Sequence, residues 1–98
     1  MKFSMMTVSV EPAANGVIKV DVSYSLDNPS NEVSQPPEVV SLETLTFAAG
    51  TKNIDRLNGL RVSAAEVVAW LKDRGSTWQD WSPREYLQYR ADTASPDA

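Results

Sequence analysis

The residues of this chain best suited to recognition chemistry are aromatic and cationic, and they are crowded into one stretch. Trp70, Trp78, Trp81, Tyr86 and Tyr89 are five of its eight aromatic residues, and Arg74, Arg84 and Arg90 are interleaved with them. Trp, Tyr and Arg are enriched at interaction hot spots, because each joins a large contact area to a polar group that needs a partner. The same side chains can stack nucleobases with arginine help. The competing use is the core, since a small domain needs large side chains to fill it. Trp70 is assigned to the core on this ground. Trp78 and Trp81 lie in a polar connection, residues 76–82, where one ring can cover the core while the other faces out. The expected partner-binding set is Trp78, Trp81, Arg84, Tyr86, Tyr89 and Arg90.

Other chemistries lack their parts. The chain has no histidine and no cysteine. That removes the usual general base, the thiolate nucleophile and the ligands of structural zinc. Gly16, Gly50, Gly59 and Gly75 are dispersed, so no glycine-rich loop can cradle a phosphate, and no G-x-S-x-G turn presents a serine. Asp27-Asn28-Pro29 opens like a hard-cation loop, but the further carboxylates and the central glycine do not follow. With thirteen acids, some carboxylate pair is always available, so a pair alone carries no signal. The expectation is a protein that is not an enzyme, holds no metal and uses no cofactor.

Charge separates the remaining classes. Nine basic residues against thirteen acidic ones give a net charge of −4. Residues 1–51 carry two bases and six acids, whereas residues 52–90 carry seven bases and five acids. Overall acidity opposes non-specific affinity for nucleic acid, and the mildly basic second half leaves room for a local site only. Asp73, Asp80 and Glu85 lie among the aromatic residues, where they would repel phosphate.

No apolar run approaches the ~20 residues that span a bilayer. Glu11-Pro12 interrupts the first apolar stretch before it reaches signal-peptide length. The sequence predicts no membrane segment and, with no cysteine to oxidise, a cytoplasmic location.

The elements that must position the aromatic stretch form one domain, as expected for 98 residues. Residues 17–26 alternate strictly: Ile18, Val20, Val22, Tyr24 and Leu26 on one face, Lys19, Asp21, Ser23 and Ser25 on the other. That is a strand with one wet face. A first strand, about 2–10, sets Met6, Val8 and Val10 against Phe3 and Met5. Asn15-Gly16 suggests a tight hairpin, but a turn centred there would pair Val10 with Asp21 and Val8 with Ser23. Apolar side chains would then share a face with polar ones, so a longer connection at 11–16 or a bulge is expected.

Residues 28–37 hold three prolines and a single apolar residue, Val33, and read as a mobile connector. A third strand is expected in 38–48, with Leu45 and Phe47 on one face. One helical turn is expected at 53–58, stopped by Gly59. Ser63 and Glu66 form a capping box that opens a helix over 64–74, ended by Gly75. Ser82-Pro83-Arg84-Glu85 opens a second helix to about residue 90, with Trp81 and Tyr86 at the spacing of a hydrophobic staple. Residues 91–98 read as a disordered tail. The fold class is α+β: a small antiparallel sheet of about three strands followed by two C-terminal helices on one face.

The expected function is that of a non-enzymatic interaction domain, a small regulator, inhibitor or assembly component that binds another protein or itself. The size suits an accessory protein of a phage or bacterium. The binding surface would be the aromatic–arginine stretch or a sheet edge. The alternative is a single-stranded nucleic-acid-binding module that uses the same stretch.

Overall fold

The alternation of residues 17–26 builds the middle of the sheet. In the computed structural model, residues 3–26 and 38–94 are described; the expected mobile loop at 28–37 and the end of the tail lie outside them. Four strands form one sheet: β1 (Met5–Val10), β2 (Val17–Leu26), β3 (Glu38–Ala48) and β4 (Arg61–Ser63). Their order is β3-β2-β1-β4, with every neighbour antiparallel. Ile18, Val20, Val22 and Tyr24 of β2 are buried, opposite Phe47 and Leu45 of β3 and beside Met6 and Val8 of β1. Burial of these side chains is the main source of the sheet's stability. The strand beyond the expected three is β4. Its three residues are too few to show alternation, and its last, Ser63, also caps the following helix.

The β1–β2 hairpin resolves the conflict between turn and register. Asn15 and Gly16 both have positive φ, 55° and 82°, as a two-residue hairpin turn requires. Ala14 and Val17 close that turn with reciprocal bonds of 2.9 and 3.1 Å. The strands nevertheless pair Val10 with Val20 and Val8 with Val22. Three residues, 11–13, stand on the first strand where two, Ile18 and Lys19, stand on the second, so one residue is bulged out. Pro12 lies in this bulge, where its missing N–H breaks no ladder bond. Phe3 does not share the outer face with Met5. The chain bends at Ser4, whose N–H donates to the Ser25 carbonyl at 2.8 Å, and Phe3 turns back into the core.

Helix α1 (Ala64–Asp73) starts with both halves of its capping box: Glu66 N–H to Ser63 Oγ at 3.4 Å and Ser63 N–H to Glu66 Oε2 at 3.3 Å. Gly75, at φ +69°, turns the chain away from it. Helix α2 (Pro83–Thr93) has only half of the expected box. Ser82 Oγ accepts from Glu85 N–H at 3.3 Å, while the Glu85 carboxylate is drawn to Arg74 instead. The staple is present, with Trp81 and Tyr86 ring centroids 5.7 Å apart. Helix α2 continues three residues past the expected end at Arg90. Ala91 is buried, and Asn53 Nδ2 donates to the carbonyls of Ala91 and Ala94 at 3.1 and 3.4 Å, satisfying the helix end. The 3₁₀ turn Ile54–Leu57, closed by Gly59 at φ +84°, contributes Ile54 and Leu57 to the same core. Among the described residues no helix is long and apolar enough to cross a membrane.

Candidate functional site

Helical phase decides which aromatic side chains remain at the surface. Helix α1 turns Val67, Trp70 and Leu71 inward, and α2 turns Tyr86, Leu87 and Ala91 inward, at spacings of one, three and four that keep each set on one face. Tyr89 falls outside that face and is 43% exposed. Between the helices lies an open groove of about 800 Å³, lined by Trp70, Tyr86 and Tyr89 and by charged residues of both helices. Trp70 meets Tyr86 edge-on at 5.1 Å, and Tyr89 lies 6.0 Å from Trp70 and 5.9 Å from Tyr86. These separations are those of favourable aromatic pairs.

Both arginines of the groove are held against rings. The Arg74 guanidinium lies 4.4 Å over Trp70 and 3.0 Å from Glu85 Oε2. Arg90 Nη1 donates to the Tyr86 hydroxyl at 2.9 Å, its guanidinium 5.9 Å from that ring. Burial raises the Tyr86 phenol above its ordinary range, and Arg90 offsets part of this. Glu66, Asp73, Glu85 and Asp92 supply four carboxylates around the two guanidiniums. A groove of this kind offers ring surface, preordered cations and an acidic rim.

The other expected site residues are placed elsewhere. Trp78 and Trp81 are partly buried against the core. Trp78 packs edge-on against Phe3 at 5.2 Å, and Trp81 touches Phe3, Trp70 and Tyr86 at 5.6, 6.2 and 5.7 Å. Trp81 Nε1–H donates to the Tyr24 hydroxyl at 3.4 Å, which donates to Glu43 Oε2 at 3.3 Å. Burial, with the Glu43 charge adding to it, pushes the Tyr24 phenol up to about 12. The backbone that presents the two tryptophans is a 3₁₀ turn, Trp78–Asp80, opened by a capping box between Thr77 and Asp80. Its pattern, T-x-x-D, is the capping signal with aspartate in place of glutamate, and it can be found in the sequence.

Arg84 leaves the aromatic cluster altogether. Its Nη2 donates to the Thr46 carbonyl at the outer edge of β3 at 2.8 Å, and its guanidinium lies 4.6 Å over Phe47. The six expected residues therefore occupy three places. Tyr86, Tyr89 and Arg90 meet in the groove, Trp78 and Trp81 close one end of the core, and Arg84 holds a sheet edge. Trp70 and Arg74 complete the groove from outside the expected set. Their spacing of four on α1 was the available signal.

Among the described residues no group of three or more acidic, histidine or cysteine side chains could hold a metal ion. Comparison of the chain with protein-family models, with curated proteins and with solved structures finds no match.

Proposed function

We propose that this protein is a non-enzymatic interaction domain of the cytoplasm that binds another protein through the groove between α1 and α2. The observation that carries this reading is the half-exposed Tyr89 standing on a floor of Trp70 and Tyr86, with Arg74 and Arg90 already ordered against the rings. Preordered aromatic and arginine side chains lose little entropy on binding, which is what makes them effective anchors. Four carboxylates against two guanidiniums favour a partner segment that brings an apolar anchor flanked by a basic side chain. The same excess of acid disfavours a nucleic-acid strand, whose phosphates would meet it.

The test is photocrosslinking from a benzophenone side chain placed at position 89 and, as a control, at Lys19 on the wet face of β2. A protein crosslinked from 89 and not from 19, and lost when Asp73→Lys reverses the rim charge, supports the reading. Equal crosslinking from both positions contradicts it. Tight, strongly salt-sensitive binding of a labelled single-stranded oligonucleotide would move the assignment to nucleic acid.

A further inference from the structure

β3 is the long outer strand of the sheet, and the ladder fixes which of its backbone groups face away. Ala49 N–H donates to the Gly16 carbonyl at 3.0 Å. Bonded and non-bonded pairs alternate along an antiparallel ladder. Ile18, Val20, Val22 and Tyr24 therefore bond with Phe47, Leu45, Glu43 and Ser41, their register partners. The N–H and C=O groups of Leu42, Thr44, Thr46 and Ala48 consequently point out of the sheet. At the C-terminal end this edge is closed. The Ala48 carbonyl accepts from Thr51 N–H and Oγ1 at 2.9 and 2.7 Å, and the Thr46 carbonyl accepts from Arg84 at 2.8 Å. Farther along, among the described residues, no side chain takes the outward groups of Leu42 and Thr44. Leu42 is also 76% exposed, the most exposed large hydrophobic residue of the described chain. An open edge of this kind is a template for strand pairing unless something blocks it.

We infer that the outer edge of β3 is a self-pairing surface whose occupant is a second copy of this chain, and that Arg84 holds it shut. Self-complementarity selects the occupant. About a two-fold axis at Thr44, an antiparallel copy sets Thr44 against Thr44, Leu42 against Thr46 and Thr46 against Leu42. That register uses every outward N–H and C=O of the three residues. On the core face it sets Glu43 beside Leu45 and Ser41 beside Phe47, so no like charges oppose. On the wet face Thr44 meets Thr44, a favourable cross-strand pair. The register centred one residue earlier would bring two Glu43 carboxylates face to face, which is repulsive. The Thr46 carbonyl, needed by the favourable register, is the group that Arg84 occupies. The inference is independent of the α1–α2 groove, because it rests on the edge of β3 alone.

The test is sedimentation of the wild-type chain and of Arg84→Met, which keeps an apolar stem near Phe47 and removes the donor and the charge. The wild type is expected to sediment as a monomer and Arg84→Met with doubled mass. Arg84→Lys, which keeps a donor and the charge, stays monomeric. Thr44→Pro added to Arg84→Met returns it to a monomer, because the lost N–H pointed outward and β2 does not use it. A folded but monomeric Arg84→Met protein overturns the inference, as does a dimer that survives Thr44→Pro. If Arg84→Met does not fold, Arg84→Leu, which also lacks donor and charge, is measured in its place. Failure of both to fold makes Arg84 a clamp on the fold and also overturns the inference.

Discussion

The aromatic segment divides into two halves that use the same residue types for opposite ends. Trp78 and Trp81, on a 3₁₀ turn, send their rings inward onto Phe3, with Trp81 bonded to Tyr24, and so seal one end of the core. Tyr89 and Arg90, on α2, stay beside Trp70 and Arg74 at the rim of the groove. Both halves are rich in rings, so aromatic content does not separate them. Backbone phase does. The 3₁₀ turn delivers both tryptophans to the core side, whereas the helix presents Tyr86 inward and Tyr89 outward three residues later. Large side chains in a short polar connection are here structural, and of the helical pair Tyr89 is the one left at the surface.

The sharpest way to break this division is Phe3→Ala. Phe3 is buried and touches Tyr24, Trp78 and Trp81. Truncation should cost about 3–5 kcal/mol in urea denaturation, a large share of the roughly 5–15 kcal/mol that holds a domain together. A loss below about 1 kcal/mol would mean that the inward half does not seal the core.

Alkaline titration sharpens the same half. An unfolded tyrosine ionises near pH 10, and Tyr24 in the folded chain near 12. Between those values the unfolded state loses its proton first, so stability is complete below pH 10 and falls as pH rises through 12. The Tyr24 share of that fall is about 2–3 kcal/mol, because each tenfold difference in proton affinity between the two states is worth ~1.4 kcal/mol. Tyr24→Phe should flatten the stability profile between pH 10 and 12 by that amount. An unchanged alkaline slope would show that the hydroxyl is not buried in the folded chain.

The smallest effect is expected in the outward half. The Arg74–Glu85 pair is about half exposed on both sides. Arg74→Ala should cost about 1 kcal/mol, since solvent screens both the exposed ion pair and the stack of its guanidinium on Trp70. A larger loss would make the groove part of the core and erase the contrast.

Much of the fold is written locally. The alternation of β2, the Ser63–Glu66 box, the Trp81–Tyr86 staple and the glycine stops each involve neighbours a few residues apart, and each is present in the structure. Even the bulge at 11–13 follows from the mismatch between turn and hydrophobic register. What is hidden depends on distant partners. β4 exists because β1 offers it an edge, and three residues carry no period of their own. Helix α2 outlasts its expected end because Asn53, far away in sequence, caps it. The place of Arg84 depends on Thr46, 38 residues earlier. The types in the aromatic segment were legible for the same reason that their directions were not. Composition is local, but which side of a turn faces the core is set by the sheet beneath it.

The division is tested most directly by paired urea denaturation of Trp81→Ala and Tyr89→Ala. Trp81→Ala should lose about 2–4 kcal/mol, since it empties part of the core and removes the bond that the Tyr24 hydroxyl accepts. Tyr89→Ala should lose about 1 kcal/mol, because nearly half of the side chain is already in water and its loss opens no closed cavity. Equal losses, or a greater loss for Tyr89→Ala, would contradict the assignment of one half to the core and the other to the surface.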